Sequence, residues 1–154
     1  MKNFWFPLIV ALALWASACT AQDNVTESVD EVFIQHVQSK LFLDKDGKLV
    51  KPKGVAARFT FSQFGAAKDY NYAVLVYLSG QPLEVKGSCE KGSQVGIGKI
   101  ETDDKKQLFH IDEKNVWQSS CNPKLYIAPN EDKTGLILKE KGDSMDEFQY
   151  VTVM

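Results

Sequence analysis

Short segments in which apolar and polar residues alternate recur along residues 41–153, with turn-forming residues between them. Alternation with a period of two places the apolar side chains of a strand on one face. Phe59 and Phe61 fall on one such face, for example, and Arg58 falls on the other. Strands this short and closely spaced favour an antiparallel β-sandwich or a small β-barrel over βαβ units.

The predicted strands differ in how strongly their residues signal them. The clearest turn is Asp46-Gly47, a dipeptide typical of a tight hairpin. Gly96 and Gly98 fall inside one strand and predict a bulge or bend there. Trp117 is predicted to pack in the core, and no internal repeat is evident. The strands cover residues 41–43, 48–50, 55–62, 72–78, 83–88, 94–101, 107–111, 124–128, 135–139 and 148–153.

One helix is predicted ahead of these strands, over residues 29–40. Ser28 and Glu31 have the spacing of a capping box, and Val32, Phe33 and Val37 follow a helical apolar spacing. A strand is the alternative, because β-branched residues are frequent in this segment. The overall expectation is a mainly β domain with one N-terminal helix and one disulfide.

The first 18 residues have the features of a cleavable signal peptide. Lys2 gives a positive start, an apolar run extends from Leu8 to Trp15, and small residues precede Cys19. The apolar run is too short to cross the roughly 30 Å hydrocarbon core of a bilayer as a helix. We therefore predict a signal peptide over 1–18, a polar tether over 19–28 and a single β-rich domain over 29–154.

The segment Ala16-Ser17-Ala18-Cys19 resembles the lipobox of bacterial lipoproteins. The resemblance implies that Cys19 becomes the first residue and is acylated, which would anchor the domain to a membrane surface in the periplasm or at the outer membrane. The alternative is ordinary cleavage after Ala18 or after Ala21, which gives a secreted protein.

Three cysteines are present, namely Cys19, Cys89 and Cys121. If Cys19 is acylated or removed, the other two remain as a pair. Exported domains normally oxidise such a pair. A disulfide between Cys89 and Cys121 is therefore predicted, with a structural role.

Composition and motifs disfavour several classes of function. The 18 basic and 20 acidic residues are interspersed, which disfavours nucleic acid as a partner. No motif for a metal or another cofactor is evident, and none is predicted. His36 and His110 are the only histidines, and both are expected at the surface. No catalytic residue is assigned, and the protein is predicted not to be an enzyme.

A pair of aromatic residues supplies the one candidate contact for a partner. Tyr70 and Tyr72 follow a polar loop, where aromatic side chains offer contact area to a protein or a small ligand. Tyr72 has the alternative role of an inward residue of the next strand.

These features favour an exported, lipid-anchored, non-catalytic binding or inhibitor module of the cell envelope. An architectural lipoprotein that supports an envelope complex is the first alternative. A small secreted hydrolase is the second, and it requires a cleft in which His36 or His110 meets a serine or a carboxylate.

Overall fold

The computed structural model describes residues 31–64, 71–101 and 104–152. Two short 3₁₀ turns, Lys53–Val55 and Lys105–Gln107, occur beside the strands. The strands are β1 Val32–His36, β2 Phe42–Leu43, β3 Leu49–Val50, β4 Arg58–Phe64, β5 Asn71–Val76, β6 Leu83–Val85, β7 Gln94–Ile97, β8 Phe109–Ile111, β9 Trp117–Ser119, β10 Leu125–Pro129, β11 Leu136–Glu140 and β12 Phe148–Thr152.

All of the strand pairs are antiparallel, as the sequence predicts. One path runs through β12, β1, β4, β5, β8 and β9, and three hairpins, β2–β3, β6–β7 and β10–β11, extend from it. In the described residues no ladder joins the ends of the path, β9 and β12. Their side chains nevertheless meet, because the Trp117 and Phe148 rings lie 4.5 Å apart between centroids.

The strands form three units of four, which the sequence did not reveal. In each unit the first strand pairs with the residues that open its hairpin. Gln35 pairs with Phe42 in the first unit and Leu75 with Pro82 in the second, both seven positions apart, and Gln118 pairs with Tyr126 in the third. The units have similar strand pairing but different side chains, and for this reason no sequence repeat is evident.

The core is built from the inward residues of nearly every strand. Trp117 is completely buried, as predicted, and Phe59, Phe109 and Phe148 are buried with it. Aromatic side chains bury large areas and anchor packing of this kind. The sequence thus identified the centre of the core correctly.

The predicted helix over residues 29–40 is wrong in the described part of that range. Residues 32–36 form β1, which pairs with β12, β2 and β4. Burial alternates along β1, with Val32, Ile34 and His36 inward. The segment is therefore a strand and not a helix, because three neighbouring strands supply hydrogen-bond partners for its backbone.

The predicted disulfide between Cys89 and Cys121 is present. The Cα atoms lie 6.1 Å apart, within the ordinary range for a disulfide. The bond links the β6–β7 connection to the β9–β10 connection, and Asn122 Nδ2 donates to the Cys89 carbonyl at 3.0 Å. Among the described residues, no helix has the length and apolarity that crossing a membrane requires.

Candidate functional site

The turn that follows β1 brings a buried histidine into contact with a serine and a carboxylate. His36 is the last residue of β1, and its side chain is only 3% exposed. Its Nδ1 atom lies 2.8 Å from the Ser39 hydroxyl oxygen, and its Nε2 atom lies 2.7 Å from Asp146 Oδ1. The expectation of a surface position for His36 is wrong, because β1 turns every second side chain inward.

The hydrogen-bond partners determine which ring nitrogen of the neutral His36 imidazole carries the proton. Nε2 faces the Asp146 carboxylate, an acceptor, so Nε2 is the donor. Nδ1 receives the backbone amide of Ser39 at 3.2 Å and is therefore an acceptor. The Ser39 hydroxyl donates to Nδ1, and its oxygen accepts the Leu41 amide at 3.2 Å. The three side chains form one hydrogen-bonded chain from hydroxyl to carboxylate.

Backbone contacts hold Asp146 in place against this turn. The Val37 amide donates to the Glu147 carbonyl at 2.9 Å. In return, the Glu147 amide donates to Gln38 Oε1 at 3.2 Å. The segment that leads into β12 is thus fastened to the segment that leaves β1, so the approach of Asp146 to His36 follows from the backbone.

A surface groove of about 720 Å³ includes this cluster. Its wall includes His36, Gln38, Ser39 and Asp146 on one side, and Lys91 and Gly92 from the β6–β7 connection. The β10–β11 hairpin contributes the rest of the lining: Pro129, Asn130, Glu131, Lys133, Ile137, Leu138 and Lys139. The volume lies within the roughly 300–1,000 Å³ that small-ligand sites occupy.

The groove combines hydrogen-bonding groups of several kinds. Glu131, Lys133 and Lys139 are exposed there, while Asp146 is 24% exposed beside the buried imidazole. Lys91 Nζ pairs with the Glu140 carboxylate at 3.1 Å. Acidic and basic side chains, the Asn130 amide and the Ser39 hydroxyl therefore line one groove. Such a lining suits a polar ligand.

The sequence-based candidates lie elsewhere or outside the described residues. Tyr72 is half-buried near the start of β5, with its ring edge-on to Phe61 at 6.3 Å. This position agrees with its alternative role as a strand residue. Tyr70 and Cys19 lie outside the described residues, and His110 is half-buried in β8. Neither Tyr72 nor His110 is among the residues that line the groove.

No cluster of three or more histidine, cysteine or acidic side chains suited to a metal occurs in residues 31–64, 71–101 and 104–152. The sequence missed the His36 cluster because Asp146 is 110 positions away from the histidine. One local signal was present, since Ser39 follows His36 by three residues ahead of a turn. Because the predicted helix places His36 on a solvated face, this signal does not indicate a site in the sequence.

No protein-family model matches this chain, and no curated protein matches it in sequence. Solved structures do match. A Clostridium perfringens endo-β-galactosidase that releases GlcNAcα1-4Gal aligns with a TM-score of 0.64 at 15% identity, covering 84% of this chain. This chain spans only 34% of that protein.

Two further structures align over a larger share of their own lengths. The BEL β-trefoil has a TM-score of 0.54 at 13% identity, with 84% of this chain and 97% of that chain covered. A Polyporus squamosus lectin, bound to the epitope Neu5Acα2-6Galβ1-4GlcNAc, has a TM-score of 0.54 at 16% identity. It is covered over 50% of its length, against 82% of this chain. At these identities the likeness shows the fold alone, and the fold is the β-trefoil.

Proposed function

We propose that this chain is an exported binding module whose groove takes a saccharide. The observation that carries the proposal is the groove itself, which joins the turn after β1 to the β10–β11 hairpin. A saccharide presents many hydroxyl groups, each of which donates and accepts hydrogen bonds. Carboxylate, amide, hydroxyl and ammonium groups along one cavity match that chemistry.

The fold supports the same reading. The BEL β-trefoil, a lectin and part of an endo-β-galactosidase all align with this chain. The last two carry names that refer to galactose-containing glycans. We infer that oligosaccharides containing galactose are the ligands to screen first. Fold by itself assigns no function, so the proposal depends on the side chains of the groove.

The test is a glycan-array screen of the purified domain, followed by calorimetric titration of the best glycan. Glu131→Ala and Lys139→Ala each remove a charged group from the groove. We expect each variant to weaken binding about 10-fold or more, since a hydrogen bond to a charged group contributes roughly 1.5–3 kcal/mol.

Matched controls exist outside the groove. Glu113 and Lys124 are exposed residues of the same types that do not line it. Glu113→Ala and Lys124→Ala should bind the glycan as the unmodified domain does. If no array glycan binds, or if the controls weaken binding as much as the groove variants do, saccharide binding at this groove is excluded.

Anchoring by an acylated Cys19 is a second part of the proposal. It is supported by the lipobox-like segment and by the disulfide between Cys89 and Cys121, since Cys19 is the one remaining cysteine of the sequence. Intact mass of the protein from its native membrane should show a chain that begins at Cys19 and carries acyl groups. Cys19→Ala should release the protein from the membrane fraction. A soluble species that begins after Ala18 or Ala21 would contradict the anchor.

A further inference from the structure

The second unit of the fold shows which features of the Ser39 turn the backbone requires. In the first unit the His36 amide donates to the Leu41 carbonyl, and the Lys40 amide donates to the His36 carbonyl. In the second unit Val76 takes the place of His36 in both hydrogen bonds, with Gln81 and Gly80 as its partners. The two turns are therefore equivalent, forty positions apart.

The serine of this turn has a structural role that both units share. Ser39 Oγ accepts the Leu41 amide at 3.2 Å, and Ser79 Oγ accepts the Gln81 amide at 3.3 Å. His36 has no such counterpart, because the equivalent Val76 is apolar and buried. The turn thus accounts for the serine but not for the histidine or for the carboxylate that pairs with it.

Burying an imidazole has a free-energy cost that a valine at the same place avoids. The first unit nevertheless contains the imidazole and holds it with Asp146 at 2.7 Å, at the wall of a groove. Nε2 is the donor to Asp146, so the lone pair of Nδ1 faces the Ser39 hydroxyl at 2.8 Å and the Ser39 amide at 3.2 Å. A serine hydroxyl, an imidazole acceptor and an orienting carboxylate are three of the parts that nucleophilic acyl transfer uses.

We propose that Ser39 is a nucleophile for the hydrolysis of small acyl esters bound in the groove. His36 is the general base, and Asp146 is a positioning residue that holds the imidazole in the required tautomer. This activity goes beyond saccharide binding and contradicts the prediction that the protein is not an enzyme. It also meets the condition set for the hydrolase alternative, a cleft in which a histidine meets both a serine and a carboxylate.

The proposed reaction balances in two steps. Ser39 Oγ forms a bond to the carbonyl carbon while its proton moves to His36 Nδ1. The ester bond then breaks, the alcohol leaves with that proton, and an acyl group remains on Ser39. Water next attacks the acyl carbon, gives a proton to His36 Nδ1, and releases the carboxylic acid as Ser39 regains its hydroxyl proton. Asp146 stabilises the imidazolium that forms in each step.

The first experiment uses p-nitrophenyl acetate turnover and covalent labelling by a fluorophosphonate, followed by intact mass and peptide mapping. We expect one adduct, on Ser39. Ser39→Ala should lose the adduct and lower kcat at least about 100-fold, since it removes the nucleophile and with it the roughly 10²–10⁴ that a general base contributes by activating that nucleophile. Ser79→Ala is the matched control, because it removes the same turn hydrogen bond in the second unit and should retain the full rate.

His36→Val places an apolar side chain at the buried position, as Val76 does in the second unit. This variant should fold but lose esterase activity. Asp146→Asn should lower kcat with KM unchanged. If Asp146 were only structural, its loss would instead reduce the folded fraction, which would lower both the yield of adduct and the melting temperature. The proposal is overturned if the unmodified protein forms no adduct, if the adduct maps to another residue, or if Ser39→Ala keeps the rate. The probes carry no sugar, so their failure leaves saccharide binding untouched.

Discussion

At the scale of single residues, His36 occupies a place that the fold fills with valine in the next unit. Both positions close a first strand and make the same two backbone hydrogen bonds. The side chain of His36 is 3% exposed, and its partner Asp146 is 24% exposed. The carboxylate therefore keeps contact with water, whereas the imidazole depends on Ser39 and Asp146 for its hydrogen bonds.

Exchange of the two residue types should have unequal effects on stability. His36→Val removes a buried polar group and leaves Asp146 solvated, so we expect the free energy of unfolding to change by less than about 1 kcal/mol. Val76→His places an imidazole in the apolar core and should destabilise by about 1–3 kcal/mol. Urea unfolding followed by tryptophan fluorescence measures both. A larger loss in His36→Val than in Val76→His would mean that the histidine has a structural role.

A second polar contact, partly buried, lies where the ends of the main strand path meet. Trp117 Nε1 donates to Tyr150 Oη at 3.0 Å, between β9 and β12. Burial raises the pKa of the Tyr150 phenol well above its ordinary value. The phenol therefore remains protonated and available as an acceptor for the indole throughout the neutral range.

Removal of the Tyr150 hydroxyl should lower the stability of the fold, because the Trp117 indole then lacks its acceptor. Tyr150→Phe leaves the Trp117 N–H without its acceptor, and we expect the free energy of unfolding to fall by about 1–3 kcal/mol. Urea unfolding measures the change. Tyr126→Phe is the control, because Tyr126 is half-buried, as Tyr150 is, but does not accept the hydrogen bond of the Trp117 indole. Equal stability of the two variants would show that the indole finds another partner.

At the scale of elements, the sequence predicted strands where alternation or a turn marked them. The Asp46-Gly47 hairpin is confirmed, with Leu43 opposite Leu49. β9 was missed because Trp117–Ser119 is too short for its alternation to stand out. β1 was read as a helix because one segment fits both periods, and only its pairing with three other strands decides between them.

The candidate site was less predictable than the strands. Its serine and histidine are local to one turn, but ten strands, β2 to β11, separate that turn from Asp146 in the sequence. No pattern of spacing in the sequence predicts their contact. The disulfide was predictable, by contrast, because the cysteine count and the predicted signal peptide leave one pairing.

The disulfide stabilises the domain by linking two connections that lack regular pairing to each other. It closes a loop with a sequence separation of 32 residues. Substitution of both Cys89 and Cys121 by alanine should lower the free energy of unfolding by about 3–4 kcal/mol. Chemical unfolding of the double variant and of the oxidised protein measures the difference. A change below about 1 kcal/mol would indicate that the disulfide restricts the unfolded chain little and contributes little to stability.

The β6–β7 hairpin carries a carboxylate whose ionisation is linked to folding. Lys86 Nζ donates to Glu84 at 2.9 Å, and Gln107 Nε2 donates to the same carboxylate at 3.1 Å. The hydrogen bond from Lys86 lowers the pKa of Glu84 below its ordinary value of 4.5, while partial burial opposes that shift and Gln107 adds to it. The folded state therefore favours the ionised carboxylate.

This linkage predicts a specific dependence on pH. A carboxylate with a lowered folded pKa contributes stability above its unfolded pKa, and that contribution is lost as the pH falls through the folded pKa. Urea midpoints measured from about pH 6 down to about pH 3 should fall less steeply in Glu84→Gln than in the unmodified protein. Glu113→Gln, at an exposed site, should follow the unmodified protein. Identical slopes for all three would contradict the linkage.

At the scale of the whole molecule, three equivalent units give the chain a scaffold on which single positions can differ. The first two units share the backbone hydrogen bonds of their turns, and only the first has a histidine at the end of its leading strand. The groove is lined by the first turn, by Lys91 and Gly92 of the second unit, and by the hairpin and Asp146 of the third. A site to which all three units contribute allows its polar residues to change without disturbing the core beneath it.

The most direct measurement is a ¹⁵N NMR titration of the domain with the best glycan from the array. We predict that amide shifts will concentrate in the turn 36–39, at 91–92, in the hairpin 129–139 and at Asp146, and will saturate with one ligand per chain. Shifts centred on another surface, or no saturable shifts with any glycan, would contradict a saccharide site in this groove.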